Sequence, residues 1–354
     1  MIERARALWR HTTFSAFLAI AGLAIAGLAV VGAGAAHAQD AAAFYKGKQV
    51  RFISTSGAGG GYDAYSRLLG RHIADHIPGK PSLVFENMPG ASGIRGTNWM
   101  YNIAPKDGTV FAGTYNTLLT DPLLGDTAAK FDPTKFLWIG SITTQYNSCM
   151  VWGTSTIKTI EDAMKEEVKV STTGMTGNSA LTPFMLNKLI AGYTTTDMRL
   201  AVERGEVDGI CGFSYDTYQA ANPDWLENNR IRFILQTGSV PNKYIPDVPL
   251  LKNYVKDPKD IEALKILSVN EDVGRPHMLP PGVPMYLVTA MRRAFDATMK
   301  DPKFLADATK MHIEPDPMTG EAVQAEIIAA YQAPKEAVAR AAELWPPPVP
   351  GGKE

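Results

Sequence analysis

Five nearly bare residues, Gly57-Ala58-Gly59-Gly60-Gly61, constrain this chain more than any other stretch. Before them, Gln49-Val50-Arg51-Phe52-Ile53-Ser54 alternates and carries β-branched and aromatic residues, which predicts a strand. After them, Leu68, Leu69, Ile73 and Ile77 recur at helical spacing within Ala64 to Ile77. A strand that turns through glycine into a helix presents unshielded backbone N–H groups beside a helix N-terminus. That geometry binds anions without a basic side chain. The expectation is that Gly57, Ala58, Gly59, Gly60, Gly61, Tyr62 and Asp63 grip a carboxylate or phosphate; a plain flexible connection is the competing reading.

The pattern recurs. Ser82–Asn87 reads as a strand ending in Met88-Pro89-Gly90-Ala91-Ser92-Gly93, and Ile94–Asn102 as a helix. Thr109–Thr114 reads as a third strand, followed by Tyr115-Asn116-Thr117. Further on, Val168–Ser171 runs into Thr172-Thr173-Gly174-Met175-Thr176-Gly177-Asn178-Ser179, with Ala180–Ile190 helical. Strands alternating with helices imply parallel β-α-β units, whose ligands sit beyond the carboxyl ends of the strands. Other predicted helices are Thr156–Glu167 (with a capped start at Thr159 to Asp162), Arg199–Gly205, Met285–Asp301 and Gly320–Leu344. Phe136–Ile142, Ser148–Trp152 and Val207–Cys211 read as strands, the last leading to Gly212-Phe213-Ser214-Tyr215-Asp216. Arg232–Gln236 is expected to carry the chain back to the first lobe.

The N-terminus stands apart. Arg4, Arg6 and Arg10 precede an apolar run from Phe14 to Val31, and Ala36-His37-Ala38 fits a small-x-small cleavage site. Residues 1–38 are therefore expected to be a signal peptide, the alternative being an uncleaved anchor, because the apolar run is long. No cysteine near the site offers a lipid anchor, and the arginines are not adjacent as a twin-arginine signal requires. The whole chain carries a formal net charge of −1, with no Lys/Arg cluster, which argues against nucleic acid as partner. No later stretch is long enough to span a membrane. The length beyond residue 38 exceeds one typical core, so two lobes are expected. In an exported chain the only two cysteines, Cys149 and Cys211, suggest a disulfide. Two buried free thiols are the alternative.

Several chemistries are missing from the pattern. Gly57 and Gly59 fit a dinucleotide fingerprint, but its third glycine is Tyr62; Gly61 is followed by Tyr62-Asp63 rather than Lys-Ser/Thr. Gly90-Ala91-Ser92-Gly93 only approaches a nucleophile elbow. His72 and His76 have the i, i+4 spacing of metal ligands, but Ile73 replaces the zincin glutamate, so a solvated helix face is expected and no metal or cofactor. His277 and His312 lie apart from any Ser or Cys with a supporting carboxylate. With so few candidate bases, no enzymatic activity is expected; a secreted enzyme using His277 or His312 is the weaker reading.

Taken in order, Gly59-Gly60-Gly61-Tyr62-Asp63, Glu86-Asn87-Met88-Pro89-Gly90-Ala91-Ser92-Gly93, Ala104-Pro105-Lys106-Asp107-Gly108, Pro246-Asp247-Val248-Pro249 and Pro280-Pro281-Gly282-Val283-Pro284 resemble motifs of one family. It is the periplasmic solute-binding proteins of tripartite tricarboxylate transporters, the Bug receptors. The resemblance covers nearly all of the chain beyond residue 38. It implies two α/β lobes closing on a cleft, two chain crossovers, and a ligand carboxylate held mainly by backbone N–H groups and small hydroxyls. Thr55, Ser56 and Ala58 stand where the family commonly has Pro or Phe, making this wall richer in hydroxyls. The turn with Met175 and Asn178, and the region up to Arg199, also depart from the family pattern.

The resulting expectation is a two-lobed α/β, type II-like clamshell. Lobe I would comprise residues 39–143 and 235–354 with the C-terminal helices, and lobe II residues 144–234, with a hinge near Ile142–Asn147 and Arg232–Gln236. The ligand would meet Ser56 to Asp63, Ala91, Ser92, Thr114 and Asn116 on one side. Thr173, Gly174, Thr176, Gly177, Asn178 and Phe213 would face it from the other. Tyr62, Tyr115, Phe213 and Tyr215 could form a stacking wall for an aromatic acid, or be plain packing. Asp63 reads as a helix-starting residue, with an amino group as the ligand it could otherwise hold. The expected role is a monomeric periplasmic receptor that hands a di- or tricarboxylate, an aromatic acid or an amino acid to inner-membrane permease subunits. A sensor that signals to a membrane histidine kinase is the alternative.

Overall fold

Alternation along Gln49–Ser54 has a direct consequence in the computed structural model, which describes residues 41–172, 178–190, 193–197 and 206–345. Successive side chains of a strand leave on opposite faces, so Phe52 and Ile53 enter different cores. Strand β1 (Gln49–Ser54) runs parallel to β2 (Ser82–Asn87) and to β3 (Val110–Gly113). Helix α1 (Gly61–His76) follows β1, and α2 (Ile94–Asn102) follows β2. After β4 (Leu137–Ser141) the chain crosses to a second sheet. That sheet holds β5 (Asn147–Trp152), β6 (Val168–Thr172), β7 (Tyr193–Asp197), β8 (Gly209–Ser214) and β9 (Ile231–Gln236), with α3 (Asn178–Leu189) after β6. The chain then forms α4 (Pro258–Asp272) and returns to the first sheet as β10 (Pro276–Leu279). The fold closes with α5 (Met285–Thr298), α6 (Pro302–Lys310), β11 (Met318–Thr319), α7 (Gly320–Tyr331) and α8 (Lys335–Leu344).

The two sheets share one topology. In the first the order is β11-β4-β10-β3-β1-β2, in the second β7-β6-β8-β5-β9. Each has a first strand flanked by two parallel partners, then one antiparallel strand inserted before the next, β10 between β3 and β4 and β5 between β8 and β9; the first sheet adds β11 beyond β4. The inserted strand is in each case the one that arrives from the other lobe. This is a two-lobed clamshell of mixed α/β type. Since β9 pairs with β5 up to Gln236, the return to the first sheet begins after that residue and not within Arg232–Gln236.

Packing follows from period-2 alternation. Phe52, Phe111, Ile139 and Leu279 point to a core closed by α1, α5 and α6, where Phe52 stacks on Phe111 with centroids 4.1 Å apart. Ile53, Ala112, Trp138 and Met278 point to the opposite core, which continues through α7 and α8 into Val170, Met185 and Leu186 of the second lobe. Each large apolar side chain removed from water there contributes about 1.5–3 kcal/mol.

Four local expectations are corrected. Gly320–Leu344 is two helices, because Pro334 lacks an N–H and starts a new helix at Lys335. Thr156–Glu167 contains one helical turn, Ile160–Ala163, although its capping box between Thr159 and Asp162 is present. His72 and His76 do not lie on a solvated face: they meet Asp307 (3.1 Å) and Asp301 (2.8 Å) of α6 and its cap. The strand expected at Val207–Cys211 runs from Gly209 to Ser214. The proposed signal peptide and the helix expected at Arg199–Gly205 lie outside the described residues. Cys149 and Cys211 are register partners on β5 and β8 and are joined by a disulfide.

Candidate functional site

Parallel strands end on one edge, and the inserted antiparallel strand begins there. Ser54, Asn87 and Gly113 end β1, β2 and β3, and Arg275 immediately precedes β10 on the same edge. The second sheet presents Thr172, Ser214 and Gln236 at strand ends and Asn147 at the start of β5. The Tyr65 hydroxyl of α1 donates to Asp216 Oδ2 across the lobes at 3.3 Å, so these edges face each other.

The glycine turn is held from behind and open in front. Gly60 caps α1 in an extended conformation, and Gly59 has φ +83°, which favours glycine. Among the described residues, a Cβ on Gly57 or Gly59 would meet nothing within 4 Å. On Gly60 its nearest neighbour would be the Gly57 carbonyl at 3.7 Å, and on Gly61 Arg275 Nη2 at 3.9 Å. The fold therefore has room for side chains at Gly57, Gly60 and Gly61, with no positive φ requiring glycine at any of them. What their absence provides is access to the first N–H groups of α1, whose dipole favours an anion.

Asp63 is the clamp behind this turn. The residue is 2% exposed. Oδ2 accepts from the Gly59 N–H (2.8 Å) and Arg67 Nε (2.8 Å), and Oδ1 from Asn87 Nδ2 (2.7 Å). Burial pushes its carboxyl up, but these donors outweigh burial and hold it below the ordinary value. Asn87 Nδ2 also donates to the Ser56 carbonyl (3.0 Å). The side chains of Ser56, Thr114 and Asn116 are likewise occupied internally. Ser56 Oγ meets Ser54 Oγ (2.8 Å), Thr114 Oγ1 meets Thr97 Oγ1 (2.9 Å) and Thr55 Oγ1 (3.2 Å). Asn116 accepts from the Tyr62 hydroxyl (2.7 Å) and donates to the Asn270 carbonyl. Ala91 and Ser92 are exposed on the neighbouring turn with φ of 48° and 49°, two consecutive left-handed residues without glycine's freedom. Ala58 lies exposed on the glycine turn itself.

Sequence reasoning missed Arg275. It is 6% exposed, and among the described residues no carboxylate lies within ion-pair distance of it. Its guanidinium stacks over Tyr62 (4.2 Å from Cζ to the ring centroid) and Tyr65 (4.7 Å). Nη1 donates to Gln145 and to the Gly274 carbonyl (2.9 Å), while Nε has no partner among the described residues. A buried, unpaired guanidinium is costly unless something anionic completes it. Its Nη2 end lies beside Gly61, at the open N-terminus of α1. The only local signal was an arginine inside a short apolar segment, Val273-Gly274-Arg275-Pro276.

On the facing lobe, Thr173, Gly174, Thr176 and Gly177 lie outside the described residues. Asn178 starts α3 and, with Asn116, Asn147, Thr237 and Glu271, lines a cavity at the junction of the lobes. Phe213 is half-buried in β8, 6.0 Å from Tyr218 centroid to centroid, and Tyr215 stacks on Tyr244 at 4.8 Å. Tyr62 and Tyr115 pack together at 4.4 Å. His277 is buried beside Phe52 and Phe295, and burial pushes it down to about 3, so it stays neutral.

No family model matches the sequence, and no curated protein matches it. Solved structures do. A TctC solute-binding protein from Polaromonas superposes with a TM-score of 0.64 at 19% identity, covering 81% of this chain and 96% of its own. The periplasmic binding protein BugD gives 0.58 at 20% identity over 83% of this chain and 96% of its own. MatC from Rhodopseudomonas palustris, with bound malate, gives 0.57 at 16% identity over 82% and 99%. These likenesses establish that the chain has the two-lobed α/β fold of periplasmic binding proteins.

Proposed function

We propose that this chain is a periplasmic solute receptor of the tripartite tricarboxylate transporter type, which captures a small organic acid between its lobes and delivers it to membrane permease subunits. The observation that carries this reading is the open glycine face at the N-terminus of α1, with the unpaired Arg275 guanidinium beside it. Backbone N–H groups, a helix dipole and one buried cation converge on a single point, and a carboxylate satisfies all three. The malate bound by a protein of the same fold supports this class of ligand. Residues 1–38 act as a cleaved signal peptide, and the lobes divide near residue 143 and just after Gln236. The facing turn, Thr173 to Asn178, supplies the second set of donors when the lobes close, a motion of the hinge type. The receptor returns its ligand unchanged, as the neutral, enclosed His277 offers no base to the cleft.

The test is a thermal-shift screen of the chain without residues 1–38 against di- and tricarboxylates, aromatic acids, amino acids and phosphate esters, since a native-state ligand raises the melting temperature. A carboxylic acid from the panel, not a phosphate ester, is expected to shift it. Phosphate esters shifting it alone would refute the carboxylate assignment. Gly61→Val places methyl groups in the open face and in front of Arg275. Because each hydrogen bond to a charged group is worth about 1.5–3 kcal/mol, binding should fall at least about tenfold. The fold should persist, as the added Cβ has room. Unchanged affinity would remove the glycine turn from the site.

A further inference from the structure

Two opposite charges of this cleft remain unpaired although they approach the same tyrosine. Arg275, from the first lobe, lies over the Tyr65 ring at 4.7 Å. Asp216, from the second, accepts from the Tyr65 hydroxyl at 3.3 Å. Among the described residues neither has an ion-pair partner, and they do not pair with each other. Asp216 is half-buried at the start of a short helix, Tyr215–Ala221, and among the described residues its side chain hydrogen-bonds only across the lobes, to Tyr65. The other acid near the glycine turn, Asp63, is closed off by Arg67, Asn87 and the Gly59 N–H.

We infer that the ligand is an α-amino acid whose carboxylate meets Arg275 and the α1 N-terminus and whose ammonium meets Asp216. The inference rests on the receptor reading above and narrows its ligand. In an α-amino acid one carbon separates the two charged groups, so its complement is a cation and an anion held close together but apart. Arg275 lies over the ring of Tyr65 and Asp216 at its hydroxyl, so the two charges meet the same side chain without touching. A dicarboxylate would satisfy Arg275 but bring its second negative charge into a cleft that already contains Asp216, and like charges so placed are unfavourable. A monocarboxylate would leave Asp216 without a partner as the lobes close. Each charge comes from a different lobe, so a zwitterion would also link the lobes.

Isothermal titration calorimetry on the chain without residues 1–38 tests this with a panel of L-α-amino acids, the des-amino acid of each, and succinate, glutarate and adipate. The expected result is an amino acid that binds at least about a hundredfold more tightly than its des-amino analogue, with Asp216→Asn reducing that ratio by at least tenfold. Arg275→Lys, which keeps the charge but loses the fork, is expected to weaken both acids together. Circular dichroism and melting curves confirm that each variant is folded. Tight binding of a dicarboxylate or des-amino acid with no amino acid bound would overturn the inference while leaving the receptor reading intact. So would a ratio unchanged by Asp216→Asn. Binding of no member of the panel would overturn the inference; absence of any acid ligand in the broader thermal-shift screen would overturn the receptor reading too.

Discussion

Replacing Glu271 by glutamine probes how the chain holds its two crossovers together. Glu271 lies near the end of α4 and is 9% exposed. Its Oε2 accepts from the Asn147 N–H (3.0 Å), and Oε1 from Asn147 Nδ2 (3.0 Å) and the Thr237 hydroxyl (2.6 Å). One carboxyl group thus ties the start of β5 to the residue after β9, where the chain enters and leaves the second sheet. Burial pushes this acid from 4.5 up to about 7, against the pull of the Thr237 and Asn147 donors. A raised acid binds its proton in the folded state when the unfolded chain has released it, so its contribution to stability is largest below 4.5. That contribution is lost as pH rises towards 7. A shift of this size corresponds to about 3 kcal/mol across the window.

Glutamine cannot ionise and carries none of this slope. Its amide must turn an N–H toward either the Asn147 N–H or the Asn147 side-chain donor. A poorly satisfied buried donor lowers stability by about 1–3 kcal/mol at acid pH. Urea unfolding of both proteins at pH 4.5, 5.5, 6.5 and 8, followed by circular dichroism, isolates the effect, because other titrating groups cancel in the difference. The stability of Glu271→Gln relative to the unaltered chain should improve by about 3 kcal/mol between pH 4.5 and 8. A difference that stays constant, or moves the other way, would refute the assignment of this proton to Glu271.

Three further outcomes are expected. Gly140→Ala would set a methyl 2.2 Å from the Phe295 ring at a φ of +155°, and should destabilise by about 1–3 kcal/mol or more, read as a lower urea midpoint. Replacing both Cys149 and Cys211 by alanine opens a loop of sequence separation 62 and should cost about 2–4 kcal/mol. An equal loss from reductant on the intact chain would assign that cost to the bridge, and an unmoved melting curve would contradict it. Asp63→Asn turns an amide N–H toward donors and should loosen the glycine turn, with a loss of about 1–3 kcal/mol and faster proteolytic cleavage between Gly57 and Gly61. Unchanged cleavage would show that the turn holds without this clamp.

The elements legible beforehand are those whose signal is local. β1 with α1 and β2 with α2 announce themselves by a change of hydrophobic period across a glycine-bearing turn. Helix α4 escaped notice although Asp257 caps it and Pro258 opens it, because polar Asn270 and Glu271 share its buried face with Ile266 and Leu267 and blur the apolar period. The break at Pro334 could have been read from the proline alone. Strand β10 is four residues long, begins with proline, and takes its place only by pairing with β3 and β4. A segment that short carries too little pattern to stand out.

The Gly57–Asp63 turn was determined by the chain itself: few side chains, a strand before, a helix after, and a carboxylate one helical turn before Arg67. These are contacts between near neighbours, so the sequence contains their cause. The charge of the site was decided elsewhere. Arg275 and Asp216 are remote from the turn in sequence and come from different lobes. The antiparallel entry of β10 places Arg275 at the edge where β1, β2 and β3 end, and the approach of the lobes places Asp216 against Tyr65. Which unpaired charges face one another across a cleft depends on long-range strand pairing, and spacing along the chain does not encode it.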